Sequence, residues 1–315
     1  MKLIDLMTSY ITFKQALGMK FRTERYLLLS FCKAMGDVDI SEVTREQVLE
    51  FFESSAPPKY WYRRFYTLNV FYRFAISRGH VSKSPLPVSV PKRVDSFVPY
   101  IYSADEVKAL LAAVPPICAH PKCIVDAACL ESLIRLLWGT GLRISEALNL
   151  TISDVDLDSD LIIVKDTKFF KTRLVPIDPK LTAVLCRHIE RNVYLQAGVE
   201  VSSIFSTKKG KPLSTDLAEH YFRNLCQRAG VVRKDETFRY QPRLHDMRHT
   251  FAVNRIVAWY QSGADVQRLL PHLSTYLGHR HLTHTQRYLT VTSEVLREAC
   301  NRFEQYALEV DHAKQ

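Results

Sequence analysis

Prolines interrupt the chain about a third of the way along its length. Residues 80–100 read HVSKSPLPVSVPKRVDSFVPY, with prolines at positions 85, 87, 91 and 99 and no helical repeat of apolar residues. Proline removes a backbone donor and clashes with the preceding helical turn, so this stretch is expected to be extended. The 315-residue length suits two domains of ~100 to 200 residues each. We therefore predict a domain at 1–88, a linker at 89–100 and a second domain at 101–315.

The charge balance and the cysteines limit the class of protein. Lysine and arginine outnumber aspartate and glutamate by 43 to 33, for a formal charge of +10, which makes double-stranded DNA a candidate partner. The seven cysteines are scattered and odd in number, as is typical of reduced thiols. No apolar run has the length of a membrane span or the composition of a signal-peptide core. We expect a cytoplasmic protein, associated with the nucleoid when bound to DNA, that makes no membrane contact.

The first domain is predicted to be helical. Apolar spacing near 3.6 residues indicates two helices within residues 3–35, and Thr44 with Gln47 forms a capping-box pattern for a third. Residues 60–78 interleave aromatic residues with arginines. This segment could present a basic face to the DNA backbone, or its aromatic residues could form core and leave the arginines solvated. The candidate DNA contacts are Arg63, Arg64, Arg73 and Arg78, together with the linker residues Lys92 and Arg93.

The second domain is predicted to combine helices with a small hairpin. A helix from Ser103 to Val114 is followed by a break at Pro115 and Pro116, and then by a buried helix over 124–138. Residues 161–177 hold two β-rich runs around DTKFFKT, which predicts a β-hairpin with lysines near its tip. Further helices are predicted within 139–150 and at 179–197, 214–229, 248–261 and 295–308. The fold class is therefore mainly α with a small β-sheet or hairpin (α+β).

Two motifs in the last quarter of the chain carry chemistry-bearing side chains. LHDMRHTFA contributes His245 and Arg248, and LGHRHLTHTQRYL contributes His279 and Tyr288. Arginine holds phosphate oxygens with its planar fork, and a tyrosine can become covalently attached to phosphorus. The set therefore favours a phosphodiester over an acyl substrate. Arg143, at a glycine-containing turn before a helix, adds a second permanent cation.

Each of these residues alone has a plainer interpretation. A single His or Tyr on a helix is more often structural than catalytic, and Arg143 alone could form a surface ion pair. A metal patch is a further reading of His279, His281 and His284. Zinc ligands can be imagined among Cys118, His120, Cys123 and Cys129, although their spacing fits no common zinc site.

Four motifs in sequence order resemble the tyrosine recombinases of the phage-integrase family. They are GTGLRISEALNLTISDVDL, the lysine hairpin with KTRLVPI, LHDMRHTFA, and LGH followed nine residues later by tyrosine. The resemblance covers residues 100 to about 292, whereas the first domain is similar only in size and in its helical, basic character. The segment between Gly263 and LGH is about four residues longer than in recombinases that resolve chromosome dimers. In this it resembles the integrases of transposons and other mobile elements.

The resemblance implies a two-domain DNA clamp, with an N-terminal core-binding domain and a C-terminal catalytic domain. It implies catalytic roles for Arg143, Lys168, His245, Arg248, His279 and Tyr288. Tyr288 would be the nucleophile, and the two arginines would bind the scissile phosphate. Glu146 and Asp246 match positions that support the site. Recombination would run in a homo-tetramer on DNA through the helix at 295–308, which could equally fold back on its own domain, and the free protein could be a monomer.

The chemistry of phenol attack on a phosphodiester explains this residue set. Negative charge builds up on the non-bridging oxygens, and two arginines can balance it where many nucleases use Mg²⁺, so no metal and no cofactor are expected. Tyr288 must lose a proton, which His245 would accept, and Lys168 would protonate the leaving 5′ oxygen. His279 would hydrogen-bond a non-bridging oxygen.

We therefore expect a site-specific DNA recombinase or integrase that cleaves and rejoins strands through a 3′-phosphotyrosyl intermediate, in the integration or excision of a mobile element. Two alternatives stay open. A type IB topoisomerase-like enzyme would relax supercoils as a monomer, without paired sites. A DNA-binding accessory protein would carry the same motifs as a vestigial site.

Overall fold

The structure is a computed structural model that describes residues 1–53, 58–90, 98–165, 172–195, 203–234, 241–291 and 295–301. The chain divides into two compact units, with the division in sequence between Asp95 and Ser96. Each unit has a hydrophobic core of its own. In the part of the chain that is described, no helix is both long enough and apolar enough to span a bilayer.

The first unit is helical, as the apolar spacing predicts. Its helices are α1 (Leu3–Ala16), α2 (Arg22–Met35), α3 (Arg45–Glu53) and α4 (Pro58–Ser77). The predicted capping box before α3 is present, because the backbone N–H of Thr44 donates to Gln47 Oε1 at 2.9 Å and the N–H of Gln47 donates to Thr44 Oγ1 at 3.3 Å. The core is aromatic, with Tyr10 edge-on to Phe71 at a centroid distance of 5.5 Å.

Helix α4 separates its aromatic residues between core and surface. Phe65, Phe71 and Tyr72 are buried, so the plainer interpretation holds for them. Tyr60 and Tyr66 are more than half exposed, at 53% and 57%. Tyr66 therefore lies on the solvent side of the helix, where Arg63 and Arg73 are also exposed.

The second unit combines helices with one three-stranded sheet. Before the sheet come α5 (Ala104–Ala112), α6 (Val114–Cys118), α7 (Ala127–Thr140) and α8 (Ile144–Leu148). After it come α9 (Pro179–Leu195), α10 (Thr215–Ala229), α11 (Asp246–Gln261), α12 (Val266–Leu277), α13 (Thr283–Gln286) and α14 (Tyr288–Val291), and residues 295–301 are also helical. Helix α7 packs against both α9 and α11, and its buried leucines lie in the main core of the unit.

The sheet confirms the predicted hairpin and adds a short strand before it. Its strands are β1 (Val155–Asp156), β2 (Leu161–Val164) and β3 (Arg173–Pro176), all antiparallel in the order β1-β2-β3. Ile162 pairs with Val175, and both side chains are fully buried against the core. Arg173 begins β3, and the residues predicted to form the lysine-bearing tip, 166–171, lie outside the described residues.

Two predicted boundaries around prolines were wrong. Pro115 and Pro116 do not break the chain, because they occupy the first turn of α6, where a missing N–H costs no hydrogen bond. The buried helix predicted from Ile124 begins instead at Ala127. Helix α12, which the sequence reading left without an assignment, contains Pro271 in its interior and is capped by Asp265, whose Oδ1 accepts from the N–H of Arg268 at 3.1 Å.

The helical residues 295–301 pack on their own unit. Val295 is 1% exposed and joins the core formed by α11 and α12. Gln261 at the end of α11 donates to Glu298 Oε1 at 3.3 Å. The described part of the predicted helix at 295–308 therefore contacts its own domain in the single chain, and residues 302–308 lie outside the described residues.

Candidate active site

The C-terminal end of helix α12 holds two of the predicted arginines. Arg248, on α11, donates from Nη2 to the carbonyl oxygen of Leu277 at 2.6 Å and from Nη1 to that of Gly141 at 2.9 Å. Arg143, immediately before α8, donates from Nη2 to the carbonyl oxygen of Gly278 at 3.0 Å. The last carbonyl groups of a helix have no partner within the helix and carry partial negative charge, so they attract cations. The structure thus brings together two guanidinium groups that lie more than a hundred residues apart in sequence.

The two arginines differ in burial. Arg248 is 2% exposed, and burial together with the charge of Arg143 lowers the pKa of Arg248 to about 10, so it stays charged at neutral pH. The Arg143 side chain is 36% exposed, which leaves it accessible to a ligand. Arg143 is oriented by Glu146, whose Oε1 accepts from Nη1 at 2.7 Å and whose Oε2 accepts from the Arg143 backbone N–H at 3.0 Å. The support role that the resemblance implies for Glu146 agrees with this geometry.

A third arginine, Arg173, completes the cluster and was not predicted as a site residue. Its Nη1 and Nη2 donate to the two carboxylate oxygens of Glu146 at 3.0 and 2.7 Å, and its Nε donates to the carbonyl oxygen of Tyr276 at 2.9 Å. Three arginines therefore occupy three successive carbonyl groups at the end of α12. Burial raises the pKa of Glu146, but the hydrogen bonds and charges of Arg173 and Arg143 outweigh it and lower that pKa to about 2.

Gly278 is required at this helix end for two reasons. It adopts a φ of +68°, a left-handed conformation that L side chains rarely take. A Cβ atom there would lie 2.8 Å from Arg173 Nη1 and 3.0 Å from its Cζ. The glycine of the LGH motif therefore makes room for the Arg173 guanidinium as well as ending the helix.

Tyr288 is docked beside the arginine cluster. Its side chain is 4% exposed, and its Oη lies 3.1 Å from Nδ1 of His249. Burial raises the pKa of Tyr288, while the positive charges of Arg248, Arg287 and Arg143 and a hydrogen bond from Arg248 oppose that rise. The predicted nucleophile thus lies close enough to both predicted arginines for their charges to act on it.

The histidines differ in what they contact. His279 stacks on Tyr288 at a centroid distance of 6.2 Å, and its Nδ1 lies 2.8 Å from Thr285 Oγ1. Burial and the nearby arginines lower the pKa of His279 to about 3, so the ring is neutral. His245, at the start of α11, is exposed at the pocket mouth and lies perpendicular to the His249 ring at 5.0 Å. The hydrogen bond between a histidine and Tyr288 Oη is made by His249, a residue that the motif LHDMRHTFA contained but that was not singled out.

The pocket around Tyr288 suits an anionic ligand. Its volume is about 330 Å³, and Tyr288, His245 and His249 line it together with the basic residues Arg243 and Arg287. Asp246, the other implied support residue, is buried and accepts from Arg243 Nη2 at 2.9 Å. An open, basic pocket with a tyrosine hydroxyl at its wall can receive a phosphate group.

The remaining predicted site residues fall into three groups. Lys168, Lys92 and Arg93 lie outside the described residues. Arg63 and Arg73 are exposed on α4 of the first unit, and Arg78 is exposed directly after it. Arg64 is used within that unit instead: its guanidinium lies 4.1 Å from the ring centroid of Phe51, and it donates to the Phe51 carbonyl oxygen. Arg64 therefore contributes to packing within its own unit, and the DNA contact predicted for it stays a prediction.

The described residues do not form either of the metal sites that the sequence suggested. Among the described residues, no three His, Cys, Asp or Glu side chains are grouped as a metal site. Cys118, Cys123 and Cys129 are buried free thiols in the core. His120 Nδ1 accepts from the backbone N–H of Lys122 at 3.2 Å.

The family model for the phage integrase family matches residues 101–294, more than half of the chain. The chain belongs to the phage integrase family. It is 35% identical to y4rB, a Sinorhizobium fredii protein named as an integrase/recombinase. The alignment covers 94% of this chain and 95% of that protein. Tyrosine recombinase XerA of Thermococcus kodakarensis is 33% identical over 66% of this chain and 64% of its own length. These findings confirm the tyrosine recombinase family predicted from the four motifs.

A solved integrase shares the fold of this family member. The Tn1549 transposon integrase, in complex with transposon right end DNA, aligns with a TM-score of 0.69 over 98% of this chain and 100% of that chain, at 19% identity. The alignment therefore spans both units, and it confirms the mainly helical fold class with a small sheet.

Proposed function

We propose that this tyrosine recombinase cuts and rejoins DNA at a specific site, in the integration or excision of a mobile element. The observation that carries the proposal is the docking of Tyr288 Oη in a basic pocket beside Arg143, Arg248 and His249. The names of the relatives, integrase/recombinase and tyrosine recombinase, support the reaction, and the transposon integrase among the similar structures supports the mobile element.

The proposed reaction begins with attack of Tyr288 Oη on the scissile phosphorus. The Oη–P bond forms as the P–O5′ bond breaks, and the phenol proton passes to a histidine. Arg143 and Arg248 hold the non-bridging oxygens, where negative charge develops, and their positions are fixed before DNA arrives. Lys168 donates the proton that the leaving 5′ oxygen needs, and His279 hydrogen-bonds a non-bridging oxygen. The 3′-phosphotyrosyl bond conserves the energy of the broken linkage, so a second 5′ hydroxyl can reverse the step.

DNA binding is proposed to involve both domains. The core-binding domain, 1–88, would contact the backbone through Arg63 and Arg73, exposed on α4, and through Arg78 directly after α4. The linker, 89–100, would contact it through Lys92 and Arg93. The catalytic domain, 101–315, would hold the scissile phosphate. Such contacts explain the excess of basic residues in the sequence.

The active assembly is proposed to be a homo-tetramer on DNA in the cytoplasm, formed from protein that is monomeric when free. A lambda integrase tetramer bound to a Holliday junction is among the similar structures, with a TM-score of 0.61 and 16% identity. The segment proposed to link subunits is the helix at 295–308. Gel filtration of free protein and of the DNA complex, with and without residues 294–315, tests this: loss of the tetramer only in the truncated complex is expected, and an unchanged tetramer contradicts the assignment.

Covalent trapping tests the proposed reaction. The substrate is a nicked suicide duplex selected for binding from a random-sequence library, because the nick lets the 5′ fragment diffuse away and leaves the adduct. The full chain should form a protein–DNA adduct, and Tyr288→Phe should bind with similar affinity and form none. An adduct with Tyr288→Phe overturns the nucleophile, and no adduct with the native chain supports an accessory DNA-binding protein. Strand exchange that requires two sites separates a recombinase from a monomeric relaxing enzyme.

A further inference from the structure

The contacts of Tyr288 identify a proton acceptor that the family motifs did not indicate. The phenol oxygen lies 3.1 Å from Nδ1 of His249, and the positive charge of Arg248 acts on it. A neutral imidazole that carries its proton on Nε2 accepts hydrogen bonds at Nδ1. In this tautomer His249 Nδ1 accepts the hydrogen on Tyr288 Oη.

We propose that His249, rather than His245, accepts the Tyr288 proton when the strand is cleaved and returns it when the strand is rejoined. The proposal rests on the proposed function and identifies the base of its first step. During cleavage the Oη–P bond forms, the P–O5′ bond breaks, and the proton moves from Oη to Nδ1. During rejoining the 5′ hydroxyl attacks phosphorus, the P–Oη bond breaks, and the imidazolium returns its proton to Oη.

The position of His249 favours it over its neighbour. It follows Arg248 on α11, so the element that fixes the phosphate-binding arginine also fixes the base. His245 lies one turn earlier on the exposed side, with its ring 5.0 Å from that of His249. His245 is thus placed to meet the incoming DNA, while His249 already meets the nucleophile.

The surroundings of His249 keep it unprotonated until a phosphate binds. The pKa of His249 is lowered to about 3, mainly by burial. The nearby positive groups lower it further; they are His245, Arg243, Arg248 and Arg287. One ring nitrogen of the neutral imidazole then carries no proton at neutral pH and can accept one. A bound phosphate adds negative charge beside these cations, which raises the pKa of His249, and the acidity of the phenol rises as its oxygen bonds to phosphorus. The base is therefore strengthened in the complex that uses it.

The test compares three variants of the full chain on the nicked suicide duplex. His249→Asn keeps a polar group near the Nδ1 position that can accept a hydrogen bond but cannot take a proton. His249→Ala removes the group, and His220→Ala, at an exposed position on α10, is the matched control. Single-turnover adduct formation at pH 7 should fall on the order of 10²- to 10⁴-fold in both His249 variants and stay unchanged in the control. DNA affinity should change little.

A more acidic nucleophile separates proton acceptance from positioning. A fluorinated tyrosine at position 288 loses its proton more readily, so it should restore much of the rate in His249→Asn and much less in the native chain. Added imidazole should likewise accelerate His249→Ala. Native-like cleavage by His249→Asn, or equal effects of the fluorinated tyrosine in both chains, overturns the proposal. Either result leaves the proposed function intact, because that function fails only if Tyr288 forms no adduct in the native chain.

Discussion

Replacing Gly278 by alanine tests whether the arginine cluster at the end of α12 governs cleavage. The new Cβ would lie 2.8 Å from Arg173 Nη1, closer than nonbonded atoms approach. Arg173 cannot simply move aside, because the same guanidinium is bound to both oxygens of Glu146 and to the Tyr276 carbonyl. Displacing it would release Glu146, which also orients Arg143.

The magnitude follows from two separable costs. Alanine in the left-handed conformation costs ~1 to 2 kcal/mol. Loss of a hydrogen bond to a charged group costs a further ~1.5 to 3 kcal/mol. Gly230→Ala is the matched control, because Gly230 has a φ of +67° at the end of α10 and a Cβ there would meet nothing within 4 Å. Gly230→Ala should therefore lower the free energy of unfolding by the conformational cost alone, whereas Gly278→Ala should lower it by both costs.

The assay pairs urea unfolding with single-turnover adduct formation. We expect Gly278→Ala to cleave on the order of 10²-fold more slowly, the effect of one misplaced donor at a developing oxyanion, while Gly230→Ala cleaves at the native rate. In a double-mutant cycle, adding Gly278→Ala to Arg173→Ala should cost little beyond the conformational part, since the clash is gone. Equal stability and equal cleavage for the two glycine variants would refute the reasoning.

Three further predictions concern acid stability, DNA contacts and metal dependence. Because the pKa of Glu146 is about 2 in the folded chain against 4.5 for the free group, its contribution is complete above pH 4.5 and is lost as pH falls toward 2. Over this window the native chain should lose about 3 kcal/mol more of its unfolding free energy than Glu146→Gln loses, as measured by urea unfolding at each pH. The same pH dependence in both chains would contradict this prediction. Changing Arg63 and Arg73 together to glutamine should reduce the slope of log affinity against log salt by about 2, whereas Arg64→Gln should lower the unfolding free energy of the first domain and leave the slope unchanged. Anisotropy titrations at several salt concentrations distinguish them. Adduct formation should survive EDTA, since guanidinium groups supply the positive charge, and a strict Mg²⁺ requirement would point to a metal-dependent nuclease.

Site residues could be predicted from the sequence where one local motif contains them. Arg248, His279 and Tyr288 lie within recognisable sequence motifs, and the structure places His279 and the charge of Arg248 beside Tyr288. Arg173 could not be found this way, because its partner Glu146 is 27 residues away and its other partner Tyr276 is 103 residues away. Those contacts depend on the strand register and on where α12 ends, and no helical or strand periodicity encodes either.

His249 shows a different limit of motif reading. It adjoins Arg248, so its presence in the site could be foreseen, but its role depends on which ring atom meets which oxygen. That is set by the rotation of α11 and by the position of α14. The prolines were misread for a related reason: proline breaks a helix interior but is accepted in a first turn, and sequence alone did not show where α6 begins.

The end of α12 explains how three guanidinium groups can lie together before any phosphate arrives. Arg143, Arg173 and Arg248 repel one another, and Glu146 compensates only one positive charge. The carbonyl groups of Tyr276, Leu277 and Gly278 add further compensation, because each accepts from a different arginine at the C-terminal end of α12, where the helix dipole is negative. The compensation is partial, so the cluster keeps a net positive charge that a phosphodiester can balance. The donors are already oriented, so little reorganisation is needed when negative charge develops, which is the condition under which electrostatic stabilisation of a transition state is largest.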